Sequence, residues 1–189
     1  MAAVETERLT LRPWSPADID DLAAVFAEPA VWRYPFERGL SRLESEEFLH
    51  RQLEHWAANG FGSWVAELKA DRRLIGYIGL AIPSWLPHVL PAVEVGWRLH
   101  PDYWGRGLAT EGGRASLRYG FQTLGLDRII SIFTPDNIVS GRVMEKLGMR
   151  DCLATTDAAR GVRLLVREIN RSEWEATSSA ALGEDAERT

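Results

Sequence analysis

The spacing of apolar residues changes period several times along the chain and predicts alternating strands and helices. Two-residue alternation and short β-branched runs indicate seven strands. These fall at residues 8–13, 61–68, 74–82, 93–99, 127–133, 149–155 and 162–169, with a polar turn near Thr156 joining the last two. Apolar residues at helical spacing predict four helices. They lie between residues 16 and 28, from 42 to about 59, from about 107 to 124, and from 139 to 147.

The helix boundaries are marked by capping residues. Ser15 before Pro16 suits a helix start, and Ser41 with Glu44 matches a capping box. Gly60 and Gly148 fit left-handed C-terminal stops. The local chemistry of these positions therefore agrees with the apolar periodicity.

The order of the elements predicts the fold class. A strand at 93–99, a helix at 107–124 and a strand at 127–133 form a right-handed strand–helix–strand unit, which predicts two neighbouring parallel strands. The other strands suggest hairpins. We expect an α+β fold with one mixed, mostly antiparallel sheet of about seven strands, a central parallel pair and about four flanking helices.

Length and composition narrow the class of protein. The 189 residues suit one domain, which we place at 1–175, and the small, polar, acidic stretch 176–189 is expected to be disordered. The net charge of −5 argues against nucleic acid or an anionic membrane as a partner. The single cysteine, Cys152, excludes an intramolecular disulfide framework.

No apolar run reaches the roughly 20 residues of a membrane span. The N-terminal residues lack signal-peptide features, so a cytoplasmic protein is expected.

A glycine-flanked arginine, Gly105-Arg106-Gly107, stands between the strand at 93–99 and the following helix. Glycine lets backbone approach a ligand closely, and the first N–H groups of a helix attract anions. The stretch therefore predicts a cradle for a phosphate-bearing ligand. A P-loop or a Rossmann site is disfavoured, because no G-K-[ST] follows the glycines and no G-x-G-x-x-G follows the first strand. No metal site is predicted, since His50 and His55 do not share a helix face.

Two motifs resemble the GNAT superfamily of N-acetyltransferases. They are E-V-G-W-R-L-H-P-D-Y-W-G-R-G-L-A-T-E-G from Glu94 and N-I-V-S-G-R-V-M-E-K-L-G-M from Asn137. The opening R-L-T-L-R-P-W and the ending R-S-E-W are similar to the RimJ/RimL-like branch. The resemblance covers about Glu7 to Trp174. Trp104 departs from the Gln or Arg that opens the superfamily's cofactor loop, although tryptophan is common there in this branch.

The resemblance implies acetyl-coenzyme A as the co-substrate. Its pyrophosphate would bind backbone N–H groups of the cradle. The strand at 93–99 would splay from its parallel neighbour and open a slot. In this slot the pantetheine arm of the co-substrate would contact the backbone of Trp97 and Leu99. Asn137 would lie near the thioester. The implied cofactor-binding residues are Trp97, Leu99, Trp104, Gly105, Arg106, Gly107, Leu108, Ala109, Thr110, Asn137 and Ser140.

The resemblance further implies acetyl transfer to a primary amine, either a protein N-terminal α-amine or a small-molecule amine, by direct attack on the thioester. Glu94 is the candidate base, with a solvent-facing or ion-paired carboxylate as the alternative. The N–H of Trp97 would stabilise the oxyanion. Met144 occupies the position where many members carry a proton-donating tyrosine. Ser140 is therefore the candidate thiolate donor, with a helix-start role as its alternative.

Aromatic side chains in loops and on the second helix are candidates for binding the acceptor. They are Trp32, Tyr34, Phe36, Trp56 and Trp85. Packing onto the core is the competing interpretation for the loop residues. None of them specifies a substrate, and a homodimer is left open. A second hypothesis is an acyl-CoA-binding sensor or scaffold without turnover, which the missing tyrosine at Met144 favours.

Overall fold

The computed structural model describes residues 3–34 and 37–177. Eight strands lie within this part of the chain. They are β1 (Val4–Glu5), β2 (Leu9–Arg12), β3 (Ser63–Leu68), β4 (Arg73–Ala81), β5 (Glu94–Leu99), β6 (Arg128–Phe133), β7 (Arg150–Asp157) and β8 (Val162–Asn170). The helices are α1 (Ile19–Ala27), α2 (Arg42–Asn59), α3 (Leu108–Arg118), α4 (Ile138–Lys146) and α5 (171–177).

The strands follow one another in the hydrogen-bonded order β1-β2-β3-β4-β5-β6-β8-β7. Strands β1 to β4 pair antiparallel in succession, and β8 pairs antiparallel with both β6 and β7. β5 and β6 are parallel, with Glu94 opposite Ile130 and the N–H of Ile130 donating to the Val93 carbonyl at 2.9 Å. The predicted α+β fold with a parallel pair is thus confirmed. The additional strand is β1, whose two residues are too short to show a period.

The described residues divide into two compact units, and each draws on two separate stretches of chain. The first comes from Met1–Ile82 and Val95–Ser116, and the second from Pro83–Glu94 and Leu117–Thr189. The boundaries fall inside β5 and inside α3. Of the predicted disordered tail, residues 178–189 lie outside the described residues, so its disorder stays a prediction.

Tryptophan indoles organise the core of the first unit. Trp14 and Trp56 both donate to the carbonyl of Ser63, at 2.9 and 2.7 Å. Because a buried N–H needs an acceptor, this shared carbonyl fixes the first residue of β3 against both rings. Phe26 packs edge-on against Phe48, with ring centres 4.9 Å apart. β3 is therefore held by tryptophans from α2 and the loop before α1, and α1 packs on α2 through Phe26 and Phe48.

Local capping chemistry sets the helix boundaries as expected. The Ser41 hydroxyl accepts from the N–H of Glu44, whose carboxylate accepts from the N–H of Ser41. Gly60 ends α2 at φ +73°, and Gly148 follows α4 at φ +79°. The first predicted helix is preceded by a 3-10 turn, Pro16–Asp18, so α1 itself begins at Ile19.

The second unit contains the end of the α3 segment and the C-terminal strands. A π-helical turn, Tyr119–Thr123, follows α3. Phe121 in this turn packs on Trp174 with ring centres 5.3 Å apart. The polar turn predicted near Thr156 is wrong in position, because β7 continues to Asp157 and the turn occupies 158–161. The side chain of Asp157 accepts from the N–H of Ala159 at 3.0 Å, a contact that stabilises the turn directly after Asp157.

Candidate active site

The predicted cradle is a loop with two left-handed glycines directly before α3. Gly105 has φ +69° and Gly107 has φ +78°, conformations that side-chain-bearing residues rarely adopt. A Cβ on Gly105 would have no neighbour within 4 Å, so backbone conformation rather than crowding requires glycine there. The N–H of Glu111 donates to the Gly107 carbonyl at 3.0 Å and closes the first turn of α3. The helix therefore starts where the left-handed loop ends.

Trp104 ties the loop to the end of β5. Its indole Nε1 donates to the Leu99 carbonyl at 2.7 Å, and its N–H donates to the Pro101 carbonyl at 2.9 Å. The side chain is still 48% exposed. The indole of Trp104 therefore occupies one acceptor position of the Leu99 carbonyl, and the pantetheine contact expected there stays a prediction.

The remaining cradle residues differ in exposure. Leu108 is 1% exposed and Thr110 is 7% exposed, so both residues are buried against the core. Ala109 is half-buried. Arg106 is exposed, and its guanidinium carbon lies 5.5 Å from the centre of the Tyr103 ring. The loop thus offers backbone N–H groups and one surface cation.

Two residues that sequence reasoning left out of the site, Arg8 and Thr6, lie at the cradle. Both donate to the carboxylate of Glu111 in the first turn of α3, with Arg8 Nε 2.7 Å from Oε2 and Thr6 Oγ1 2.6 Å from Oε1. Burial alone would raise the pKa of Glu111, but the hydrogen bonds from Thr6 and Arg8 outweigh burial and lower it. No local pattern signals this contact, because the partners are 103 to 105 positions apart.

Close packing explains a glycine in the middle of α3. A Cβ at Gly112 would lie 2.4 Å from Cδ1 of Ile78 on β4. Glycine lowers helix stability, and here it permits the approach of the helix to the strand. The close packing of α3 on β4 therefore accounts for the glycine at position 112.

The proposed base and oxyanion donor are both on β5. Glu94 is the first residue of the strand and is half-buried, and Trp97 is half-buried in its interior. The two residues belong to different units, Glu94 to the second and Trp97 to the first.

Asn137 and Ser140 open α4 in the second unit. The Asn137 side-chain oxygen accepts from the N–H of Ser140 at 3.2 Å, so Asn137 is the N-cap. An asparagine three residues before the serine was the available sequence signal for this cap. The backbone N–H of Ser140 is therefore satisfied by Asn137. Met144 is 1% exposed, so the position of the missing tyrosine is a core position.

Comparison with known proteins decides the family. Residues 8–150 match the Acetyltransferase (GNAT) domain family. The chain belongs to the GNAT family of acetyltransferases. YnaD of Bacillus subtilis (strain 168), named as an N-acetyltransferase, is 49% identical over 147 residues, which are 78% of this chain and 82% of YnaD.

Solved structures agree with this assignment. The acetyltransferase from Agrobacterium tumefaciens str. C58 has a TM-score of 0.75 at 27% identity, covering 90% of this chain and 95% of that chain. The ribosomal-protein-S5-alanine acetyltransferase from Vibrio fischeri has a TM-score of 0.71 at 18% identity, covering 92% and 99%. At 18% identity the likeness shows the shared fold alone.

The aromatic residues expected to bind the acceptor of this GNAT enzyme occupy different environments. Trp32 and Trp56 are 6% and 4% exposed, and their rings pack in the core against Phe26 and Trp64 respectively. Their expected place in an acceptor pocket is therefore corrected to a core position. Tyr34 is half-buried and Trp85 is 48% exposed. Phe36 lies outside the described residues.

The loop before β5, which carries Trp85, meets strand β7 within the second unit. His88 Nε2 and Thr155 Oγ1 lie 2.5 Å apart. Trp85 is in the same loop, and Leu153 on β7 is 43% exposed. Exposed apolar side chains thus lie on both elements.

Within residues 3–34 and 37–177 of the GNAT chain, no cluster of three or more His, Cys, Asp or Glu side chains could hold a metal ion. Over the same residues, none of the helices combines the length and apolar character that crossing a membrane requires.

Proposed function

We propose that this GNAT enzyme transfers the acetyl group of acetyl-CoA to a primary amine, which attacks the thioester directly. The observation that carries the proposal is the left-handed Gly105–Gly107 loop opening α3. The loop combines backbone that only glycine readily adopts with the positive end of a helix dipole. This combination suits the pyrophosphate of acetyl-CoA, on N–H groups between Gly105 and Thr110.

Three groups of the chain carry the chemistry in this proposal. Glu94 takes a proton from the attacking amine, directly or through water. The N–H of Trp97 donates to the oxyanion that forms at the thioester carbonyl. The hydroxyl of Ser140 donates to the departing thiolate. Asn137 supports Ser140 by capping α4.

The acceptor in this proposal is a protein N-terminal α-amine, as the RimJ/RimL-like motifs imply, or a small-molecule amine. An α-amine has a pKa of about 8, so a modest base is sufficient to deprotonate it. The net charge of −5 favours a cationic acceptor. The exposed Trp85 and the half-buried Tyr34 are the aromatic candidates that we retain for acceptor binding.

A panel of acceptors tests the reaction. Thiol release from acetyl-CoA is measured with peptides that carry free N-termini, with the same peptides blocked by formylation, and with small polyamines and aminoglycosides. Release with any free amine, and none with blocked peptides, is expected. Tight acetyl-CoA binding without release on any amine would instead support the sensor hypothesis.

The cradle is tested by Gly107→Glu, which places bulk and negative charge where the pyrophosphate is expected. Calorimetry should show loss of CoA binding. Gly125→Glu is the matched control, because Gly125 is also left-handed, at φ +71°, and a Cβ added there would have no neighbour within 4 Å, whereas one at Gly107 would meet only a terminal nitrogen of Arg8, at 3.5 Å. Loss of binding in both variants, or in neither, would overturn the cradle assignment.

Kinetics separate the catalytic roles. Glu94→Gln should lower kcat by about 100-fold and remove the acidic limb of the pH profile, with little change in the KM for acetyl-CoA.

Ser140→Ala should lower kcat by a smaller factor. Replacement with a donor that has a more acidic thiol should restore the rate, because such a thiolate needs less stabilisation. An unchanged kcat in either variant would remove that residue from the mechanism.

A further inference from the structure

Arg8 makes a set of contacts that joins the start of β2 to the cradle. Its Nε and one terminal nitrogen both lie 2.7 Å from Oε2 of Glu111, and its backbone N–H donates to Oε1 at 2.7 Å. Its other terminal nitrogen, NH1, donates to the carbonyl of Arg106 at 2.8 Å. A single guanidinium therefore holds both the first turn of α3 and the loop that precedes it.

The contact with Arg106 fixes the direction of a neighbouring donor. In a planar trans peptide, the carbonyl of one residue and the N–H of the next point in opposite directions. Because Arg8 holds the Arg106 carbonyl, the N–H of Gly107 points away from Arg8. The left-handed φ of +78° at Gly107 keeps this peptide aligned with the start of the helix.

The Arg8–Glu111 pair adds little net charge to the cradle. Glu111 keeps its carboxylate ionised through hydrogen bonds from Thr6 and Arg8, and its side chain is 14% exposed. The carboxylate balances the guanidinium beside it. The contribution of Arg8 to binding an anion is therefore geometric, and the planar fork of arginine allows it to hold a carboxylate and a carbonyl together.

We infer that Arg8, held by Glu111, is a positioning residue that orients the Arg106–Gly107 peptide so that the Gly107 N–H faces the pyrophosphate of acetyl-CoA. The inference rests on the proposed use of the cradle. The glycine motif alone does not fix the direction of the Gly107 N–H, since glycine loops sample many conformations. Arg8 supplies the contact that fixes it.

Arg8→Lys tests the inference, because one ammonium cannot reproduce the fork. Calorimetry should show CoA affinity reduced by about tenfold, as expected for one misdirected charge-assisted hydrogen bond. Arg38→Lys is a matched control. Arg38 also holds a carboxylate, that of Glu44, together with a backbone carbonyl, that of Gly39, and it lies at the start of α2. The control should bind CoA as the wild type does.

Glu111→Gln distinguishes positioning from simple charge. The amide of glutamine cannot accept from the Arg8 nitrogens as the carboxylate does, because one of its two polar atoms is an N–H₂ donor. Arg8 therefore loses the contact that holds its guanidinium, while the local net charge becomes more positive. Positioning predicts weaker CoA binding for this variant. Tighter binding would show that charge dominates and would overturn the inference.

A truncated donor provides the readout that a general loss of structure would not produce. S-acetylpantetheine lacks the pyrophosphate, so Arg8→Lys should lower kcat/KM for acetyl-CoA about tenfold and leave that for S-acetylpantetheine within about twofold. Equal losses with both donors, or no loss of CoA affinity, would overturn the inference.

If the wild-type protein itself binds no CoA, the proposed function fails. If Gly107→Glu abolishes binding but Arg8→Lys does not weaken it, only the inference about Arg8 fails.

Discussion

The guanidinium of Arg98 on β5 lies 4.0 Å from the centre of the Trp32 ring, and its NH1 donates to the carbonyl of Val31 at 2.9 Å. Trp32 packs edge-on against Phe26 with ring centres 4.9 Å apart. The short 3-10 turn that carries Trp32 is therefore held on one side by an aromatic core and on the other by a strand cation. The arginine of the E-V-G-W-R-L motif thus has a structural contact to the loop that the sequence connects with acceptor binding.

Replacing this arginine should loosen the loop. Arg98→Met loses the cation–π contact and the hydrogen bond to Val31, and we expect a loss of about 1–3 kcal/mol in the free energy of unfolding. Urea unfolding followed by tryptophan fluorescence measures it. Arg118→Met, an exposed arginine on α3, is the control and should change little. Equal stability of the two variants would argue against the contact.

A buried ion network at Arg12 predicts a larger effect. Arg12 binds Asp18 at 2.8 Å and Glu67 at 2.7 Å, and these carboxylates are 7% and 6% exposed. The hydrogen bonds that Arg12 donates to the carboxylate of Asp18 are the main reason that the pKa of Arg12 is raised. Arg12→Met removes the cation of the buried Asp18 carboxylate and leaves Glu67 only the exposed Arg72, 3.5 Å away, which should cost about 3–5 kcal/mol of unfolding free energy.

The control for the Arg12 network is Arg42→Met. Arg42 also pairs with two carboxylates, Asp20 and Glu46, but all three side chains are largely exposed. Because water screens such pairs, no measurable shift of the urea midpoint is expected. A similar loss in both variants would show that burial of the partners does not set the cost.

The packing of α3 on β4 predicts a compensating pair of substitutions. Gly112→Ala places a Cβ 2.4 Å from Cδ1 of Ile78, so we expect a lower thermal midpoint despite the better helix propensity of alanine. Ile78→Val removes the conflicting methyl group. The double variant should be more stable than the sum of the single changes predicts, and strict additivity would contradict the clash.

The lowered pKa of Glu111 predicts how its contribution to stability depends on pH. The pKa in the folded state is below the unfolded value of about 4.3, so the stabilisation is fully present above that value and is lost as pH falls through the folded pKa. Wild-type protein should therefore exceed Glu111→Gln in stability at pH 6, and the difference should shrink towards pH 3. Urea midpoints across this range measure it. A difference independent of pH would assign the effect to shape alone.

Local signals in the sequence predicted much of the framework. The capping box at Ser41, the left-handed stop at Gly60 and the strand–helix–strand order each depend on residues close together in the chain. The left-handed glycines of the cradle are equally local, since φ is a property of one residue. The Asn137 cap belongs to the same class and could have been recognised from its spacing to Ser140.

Aromatic residues were the least predictable part of the candidate site. Trp32 and Trp56 carry the same side chain as the exposed Trp85. Amphipathic side chains serve in cores and in pockets alike. The difference is decided by partners such as Phe26 and the Ser63 carbonyl, and their positions follow only from the folded chain.

Apart from the short β1 and α5, the sequence by itself determined the elements, their order and the glycine loop, because periodicity, caps and backbone preference act within a few residues. Only the tertiary structure decided that Arg8 and Glu111, 103 positions apart, meet at this loop. It also decided that Gly112 lies against Ile78 and that Trp32 and Trp56 are core residues. Contacts of this kind depend on which distant segments the sheet brings together, and no local pattern encodes the identity of a distant partner.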